Sequence, residues 1–144
     1  MKLHELIFPF WINRNRAGAS PEDITQLERE IGVALPEELR QALMLRDGGV
    51  SVYSSYRRGD LCVPVPAFLR VAELRAAERH RHTSDVLAGV PRGVLVIASG
   101  GHEWLGLDYR RGSPPSVVFR EDDDAPIESV AETFEHWLDG LTED

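Results

Sequence analysis

A histidine and two carboxylates lie close together in the last third of the chain and could support acid–base chemistry. His102 and Glu103 are adjacent, and Asp108 follows at the end of a short apolar run. Nucleophilic hydrolysis of the Ser–His–Asp kind uses such residue types. In a strand, however, neighbouring side chains such as those of His102 and Glu103 point to opposite faces, so they cannot easily serve one centre. The sequence also contains no nucleophile-elbow pattern. A small hydrolase using His102 and Asp108 is therefore kept only as an alternative.

The histidines lack the spacing of a metal site. Gly106 stands where an H-E-x-x-H motif would have its second histidine. His80 and His82 are two residues apart, which places their rings about 200° apart around a helix. One cysteine is too few for a thiolate site. The same lack of ligand spacing applies to His4, His102 and His136. We expect no catalytic residue, no metal and no cofactor.

Charge is distributed unevenly along the chain. The formal net charge is −8. Residues 119–144 contain ten acids and one Arg, whereas the rest of the chain contains 14 acidic and 15 basic residues. A negative field repels nucleic acid and attracts cationic partners, although a solvated acidic surface that aids solubility is the alternative. The predicted partner-binding acids are Glu121, Asp122, Asp123, Asp124, Glu128, Glu135 and Asp139.

A second candidate surface is the polar stretch from residue 53 to residue 58, which contains two tyrosines and two arginines. Tyr and Arg are enriched among the residues that dominate binding energy at protein interfaces. An ordinary loop is the alternative interpretation. The partner-binding candidates in this stretch are Tyr53, Tyr56, Arg57 and Arg58.

Length and composition predict one ordinary globular domain. The chain has 144 residues, of which 42% are hydrophobic and 28% charged. Its single cysteine, Cys62, lies in an apolar run and is predicted to be a buried thiol, so nothing points to an oxidising compartment. No run approaches the roughly 20 apolar residues of a membrane span, and the N-terminus lacks the pattern of a signal peptide. We expect a cytoplasmic protein without a membrane partner.

The first half of the chain predicts three helices and a strand. Ser20 is an N-cap before Pro21, and Gly32 ends that first helix. Pro36 opens a second helix, which stops at Asp47-Gly48-Gly49. Leu61–Val65 is a strand that its prolines place near an edge or an end, and residues 71–81 are a helix.

The last third predicts strands followed by a helix. Val94–Ala98 and Trp104–Asp108 form a hairpin, in which Gly100-Gly101 supplies a turn of positive φ, and Val117–Phe119 adds a third strand. Ser129 to Glu132 has the S-x-x-E pattern of a capping box, which predicts the start of the final helix. The fold class is α+β. The apolar stripe predicted for that helix is Val130, Phe134, Trp137, Leu138 and Leu141.

Three blocks of the sequence, taken in order, resemble the SUKH superfamily, which is named partly after a yeast regulator of cell-wall synthesis. The first block, residues 20–49, contains a short helix with a central Glu, then Gly-x-x-Leu-Pro, then a helix that ends in Asp-Gly-Gly where the family usually has Asn-Gly-Gly. The second, Val94–Asp108, is similar to the family's strand, Gly-containing turn and strand ending in Asp. The third, Val130–Leu138, is similar to its closing helix.

The resemblance implies a single α+β domain, residues 20–141, with a mainly antiparallel sheet backed by helices, after an N-terminal segment of residues 1–19. It also implies a binding role, because the family has no shared catalytic residues. Bacterial members are typically immunity proteins for polymorphic toxins, many of them nucleases, and eukaryotic members are regulatory adaptors. We therefore predict an immunity protein that neutralises a cationic, nuclease-like toxin by direct contact. A regulatory adaptor without a toxin partner is the main alternative.

Overall fold

The computed structural model describes residues 10–12, 17–79 and 89–143. Within these ranges, four helices pack with two antiparallel sheets, which confirms the predicted single α+β domain. In chain order the elements are α1 (Pro21–Ile31), α2 (Glu37–Leu45), β1 (Ser55–Arg58), β2 (Leu61–Pro64), α3 (Val71–Arg79), β3 (Val94–Ser99), β4 (Trp104–Asp108), β5 (Ser116–Arg120), β6 (Glu128–Ala131), α4 (Phe134–Asp139) and β7 (Leu141–Thr142).

Helix α1 begins and ends where the sequence predicts. The Ser20 hydroxyl accepts a hydrogen bond from the backbone N–H of Asp23 at 3.1 Å, and Pro21 occupies the first turn. Gly32 ends the helix with φ at 79°, a left-handed conformation that glycine adopts more readily than residues with a Cβ. These local signals are sufficient to define the helix.

The Glu28 carboxylate fixes the connection from α1 to α2. One oxygen accepts a hydrogen bond from the backbone N–H of Leu35 at 2.7 Å, and the other pairs with the guanidinium of Arg40 in α2. Glu28 is the central glutamate of the first helix in the block of residues 20–49, and its role is structural.

The Asp-Gly-Gly sequence after α2 anchors the segment that leads into α3. Asp47 Oδ1 accepts a hydrogen bond from the backbone N–H of Val71, the first residue of α3, at 2.8 Å. Gly48 has φ at 80°, and a Cβ there would lie 3.0 Å from the carbonyl oxygen of Phe68. Gly49 exchanges two backbone hydrogen bonds with Phe68, at 3.0 and 2.7 Å. The three residues therefore hold together parts of the chain that are about 20 positions apart.

The larger sheet contains β3, β4, β5 and β6 in chain order, which confirms the predicted hairpin and third strand. Alternate side chains point to opposite faces. Leu105 and Leu107 pack into the main core, whereas Trp104 and Val118 belong to a smaller apolar cluster. Both faces of the sheet are thus buried near its centre.

The turn between β3 and β4 differs from the prediction. Neither Gly100 nor Gly101 has a positive φ. A Cβ on Gly100 would lie 1.8 Å from Oε1 of Glu103, whereas one on Gly101 would meet nothing within 4 Å. Backbone conformation therefore does not require glycine here, and Gly100 instead leaves room for the Glu103 carboxylate.

The predicted capping box at Ser129 is wrong. Ser129 lies in β6 and pairs with Val118 of β5, so the backbone of this segment is satisfied by a sheet. Helix α4 begins later, after Thr133, whose hydroxyl accepts a hydrogen bond from the N–H of His136 at 3.1 Å. The predicted apolar residues within the shorter helix are buried: Phe134, Trp137 and Leu138.

The smaller sheet has the order β2-β1-β7, so the predicted strand at residues 61–65 is confirmed at an edge. The central strand β1 carries Tyr56, whose ring stacks on Trp137 of α4 with 6.3 Å between ring centroids. Its hydroxyl donates a hydrogen bond to the carbonyl oxygen of Val130 in β6 at 2.9 Å. Tyr56 therefore ties the smaller sheet to the larger one.

Helix α3 confirms the part of the predicted helix 71–81 that falls within the described residues. His80 and His82 lie outside them. Of the helices described here, none has the length and apolar character that crossing a bilayer requires.

Candidate functional site

The acidic loop, residues 121–124, connects β5 to β6, and all four of its residues are exposed. Its backbone path is fixed by a turn. Asp122 Oδ1 accepts a hydrogen bond from the N–H of Asp124 at 2.9 Å, and the Asp122 carbonyl accepts one from the N–H of Ala125 at 3.2 Å. The loop therefore presents its carboxylates to solvent from a defined framework.

Arg120 anchors this loop through its backbone and not through its carboxylates. Its Nε donates a hydrogen bond to the carbonyl oxygen of Ala125 at 3.0 Å, and Nη2 donates to the carbonyl oxygen of Asp123. Nη1 donates to the carbonyl oxygen of Gly89 at 3.4 Å. Within the described part of the chain, no ion pair joins Arg120 to the loop. The one cation of residues 119–144 thus shapes the loop, and among the described residues the loop carboxylates have no salt-bridge partner.

The structure corrects the prediction for two of the four residues of the second candidate surface. Tyr53 and Tyr56 are only 6% and 2% exposed, so neither can contact a partner directly. A tyrosine in this setting buries its ring while its hydroxyl finds an internal acceptor, as Tyr56 does. Arg57 and Arg58 are exposed on β1 and remain candidates. The stretch is a strand of the smaller sheet over residues 55–58 and not a loop.

The remaining predicted acids occupy two different elements. Glu128 is the exposed first residue of β6. Glu135 and Asp139 lie on α4, and Asp139 shares a shallow depression of about 270 Å³ with Arg57 and Arg58. Both signs of charge meet in that depression. The uncompensated negative surface is therefore centred on the acidic loop and Glu128.

The geometry rules out the hydrolase pairing of His102 with Asp108. His102 lies in the turn before β4 and Asp108 ends that strand, so an extended chain places them about 20 Å apart. Asp108 instead binds Arg110, whose Nη2 lies 2.9 Å from Oδ2 and whose Nε lies 3.0 Å from Oδ1. The side-chain hydrogen bond from Arg110 holds the pKa of Asp108 below its ordinary value. The two side chains therefore do not form a catalytic pair.

The structure adds no metal site to the sequence prediction. In residues 10–12, 17–79 and 89–143, no group of three or more His, Cys, Asp or Glu side chains converges to hold an ion. His4 lies outside these ranges, as do His80 and His82. The expectation that the protein needs no metal or cofactor stays a prediction.

A groove that the sequence did not predict lies between the edge of the smaller sheet and residues 119–128. We call it the acidic groove. Its volume is about 330 Å³, and all of β2 forms one wall. Three carboxylates line it, and within the described residues none of the three has a hydrogen bond or ion pair. They are Glu103, Glu121 and Glu128.

Cys62, predicted to be buried, is exposed on the β2 wall of this groove. Val63, the next residue, is buried in the core. Strand alternation therefore puts the cysteine on the outer side, a pattern that the continuous apolar run concealed. The sequence did not predict the groove, because the residues that form its two walls are about 60 positions apart in the chain. Pro64 and Pro66 were the local signs of an edge.

Comparison with known families agrees with this architecture. Residues 18–140 match the model of a family described as the SMI1 / KNR4 family (SUKH-1). No curated protein is similar enough to the chain to count as a match. The family match covers more than four fifths of the chain and includes every described helix and strand except β7. The chain therefore belongs to the SMI1 / KNR4 family (SUKH-1).

Proposed function

We propose that the protein is a bacterial, cytoplasmic immunity protein that neutralises a toxin by direct contact and without catalysis. The observation that carries the proposal is the acidic loop. Its exposed carboxylates are held in a fixed turn, and among the described residues none of them has an ionic partner. Membership of the SUKH-1 family supports a binding role of this kind.

The proposed partner is a cationic toxin domain with a nuclease-like substrate surface. Such a surface must attract phosphates, so it also attracts a cluster of carboxylates. Complementary charge raises the rate of encounter and fixes the register of the complex, and it does not by itself provide high affinity. Occupation of the cationic surface by the acidic loop would exclude nucleic acid. Neutralisation then requires no bond to be made or broken by this protein.

The test is co-expression with the product of the adjacent reading frame. An immunity protein restores growth to cells that express the toxin and forms a stable complex with it. The loop variant, D122N/D123N/D124N, should give weaker protection and a lower association rate. A matched control, E22Q/E37Q/D60N, removes three exposed charges elsewhere and should behave as the original protein does.

Two results would count against the proposal. A neighbouring product that is harmless to cells would favour the regulatory adaptor instead. Full protection by a protein that modifies the toxin covalently or degrades it would replace contact with catalysis, and mass spectrometry of the toxin recovered from the complex detects this.

A further inference from the structure

We propose that the acidic groove receives an extended, basic segment of the partner, which pairs with β2 as an additional strand and places its cations against Glu103, Glu121 and Glu128. This inference rests on the proposed function, because it specifies where the partner of the acidic surface inserts a segment. The acidic loop is then the surface that attracts the partner, and the acidic groove is the surface that holds it.

Backbone geometry shows that β2 has an edge facing the groove with which no described residue pairs. The N–H of Val65 donates to the carbonyl of Ser54 at 2.9 Å, so this position faces β1. The N–H of Arg57 donates to the carbonyl of Gly140 at 2.8 Å, so that position of β1 faces away from β2. Cys62 lies opposite Arg57, and antiparallel alternation therefore directs both its N–H and its C=O away from β1. The edge offers one complete donor–acceptor pair at Cys62.

The same edge limits what can pair with it. Pro64, the next outward-facing position, offers a carbonyl but no N–H. Short edge strands that contain proline are a common protection against uncontrolled sheet extension. A docked segment therefore has only a few residues in the ladder, with its register set at Cys62.

The charges of the groove determine which segment fits. Side chains at alternate positions of an added strand lie on the same side, so lysine or arginine at i and i+2 would face the three carboxylates together. A second copy of this chain is a poor occupant, because it brings a formal net charge of −8 to a negative groove. A metal ion is also a poor occupant, since the groove carboxylates are not part of a converging ligand group.

Cys62 provides a reporter for occupation of the groove, because it is the only cysteine in the chain and is exposed there. The probe is a nine-residue peptide of alternating Lys and Thr, with a Gln-for-Lys peptide as the neutral control. At ten times the dissociation constant, mass action leaves about a tenth of the grooves free, so alkylation of Cys62 by N-ethylmaleimide should slow about tenfold. The amide of Cys62 should also become protected from hydrogen exchange. A C62S/E22C variant places the reporter on α1, where the peptide should have no effect.

Two double variants with the same change in charge separate the groove from the loop, because each leaves Glu121, which belongs to both surfaces, unaltered. The groove variant, E103Q/E128Q, should greatly weaken protection of the Cys62 thiol, whereas D122N/D123N should retain it at saturating peptide. Equal losses in both variants, or peptide binding without protection of the Cys62 thiol and amide, would overturn the groove proposal. With the cognate toxin, a groove variant that dissociates as slowly as the original protein refutes the groove while leaving the immunity function intact. The immunity function itself fails if the unaltered protein gives no protection.

Discussion

The hydroxyl of Tyr56 donates a hydrogen bond to the carbonyl oxygen of Val130 at 2.9 Å, and this bond joins the central strand of one sheet to the edge strand of the other. Val130 itself is completely buried. A tyrosine that sequence composition assigned to a partner surface is thus part of the interior. Its position leaves the acidic loop and the acidic groove as the main candidates for contact.

Replacing Tyr56 with Phe should lower the free energy of unfolding by about 1–3 kcal/mol, because a buried carbonyl loses its partner. Urea denaturation of both proteins measures the difference. The control, Arg58→Gln, alters an exposed side chain of the same strand and should change stability by no more than about 0.5 kcal/mol. Equal stability of Tyr56→Phe and the original protein would show that this hydrogen bond does not contribute.

Trp137 should be among the most costly residues to truncate. It is fully buried and contacts the rings of Tyr56, Phe68 and Phe134. Trp137→Ala should lower the free energy of unfolding by about 3–5 kcal/mol through lost burial and a residual cavity. An unchanged melting temperature would mean that the helix α4 does not pack against the core as described.

Asp47 should stabilise α3 from outside the helix. Asp47→Ala removes the acceptor for the N–H of Val71 and should lower the free energy of unfolding by about 0.5–2 kcal/mol, the usual range for a lost N-cap. Asp47→Asn keeps an oxygen acceptor and should lose clearly less in the same denaturation experiment. The prediction is contradicted if the Asn and Ala variants are destabilised equally.

The Asp108–Arg110 pair should contribute to acid sensitivity. The hydrogen bond from Arg110 lowers the pKa of Asp108 in the folded protein, so folding is favoured when this carboxyl is ionised. That contribution is present above the ordinary aspartate pKa of about 4 and is lost as the pH falls through the lower folded-state value. Asp108→Asn should therefore flatten the decline in urea midpoint below about pH 4. Asp60→Asn, which leaves the pair intact, should retain the original acid slope, and a matching slope in both variants would argue against the pair.

The sequence alone was sufficient to predict a helix or strand where the residues that determine it lie close together in the chain. The Ser20 cap and the Gly32 stop define α1 without help from the rest of the chain, and the β3–β4 hairpin joins neighbouring apolar runs. The same local approach failed at residues 129–132. Their S-x-x-E pattern suits a helix start, but pairing of Ser129 with Val118 makes them a strand.

The candidate site was predicted only in part, for a related reason. The acidic loop is visible as a run of four acids, and the structure shows it to be exposed. The acidic groove depends on β2 lying beside residues 119–128, and no local pattern encodes that contact. The inward direction of Tyr56 and the outward direction of Cys62 likewise depend on how β1 pairs with β2 and β7.

The most direct test of the central claim is the association rate of the protein with its cognate toxin, measured by stopped flow as a function of ionic strength. The Debye length falls from about 10 Å at 0.1 M salt to about 3 Å at 1 M, so steering by the acidic loop should fade over this range. We predict that the loop variant associates markedly more slowly than the original protein at low salt, and that the two rates converge at high salt. Thermal stability should differ little between them, because exposed charges contribute little to folding. Equal association rates at low ionic strength would contradict the account and show the acidic loop to be a solvated surface only.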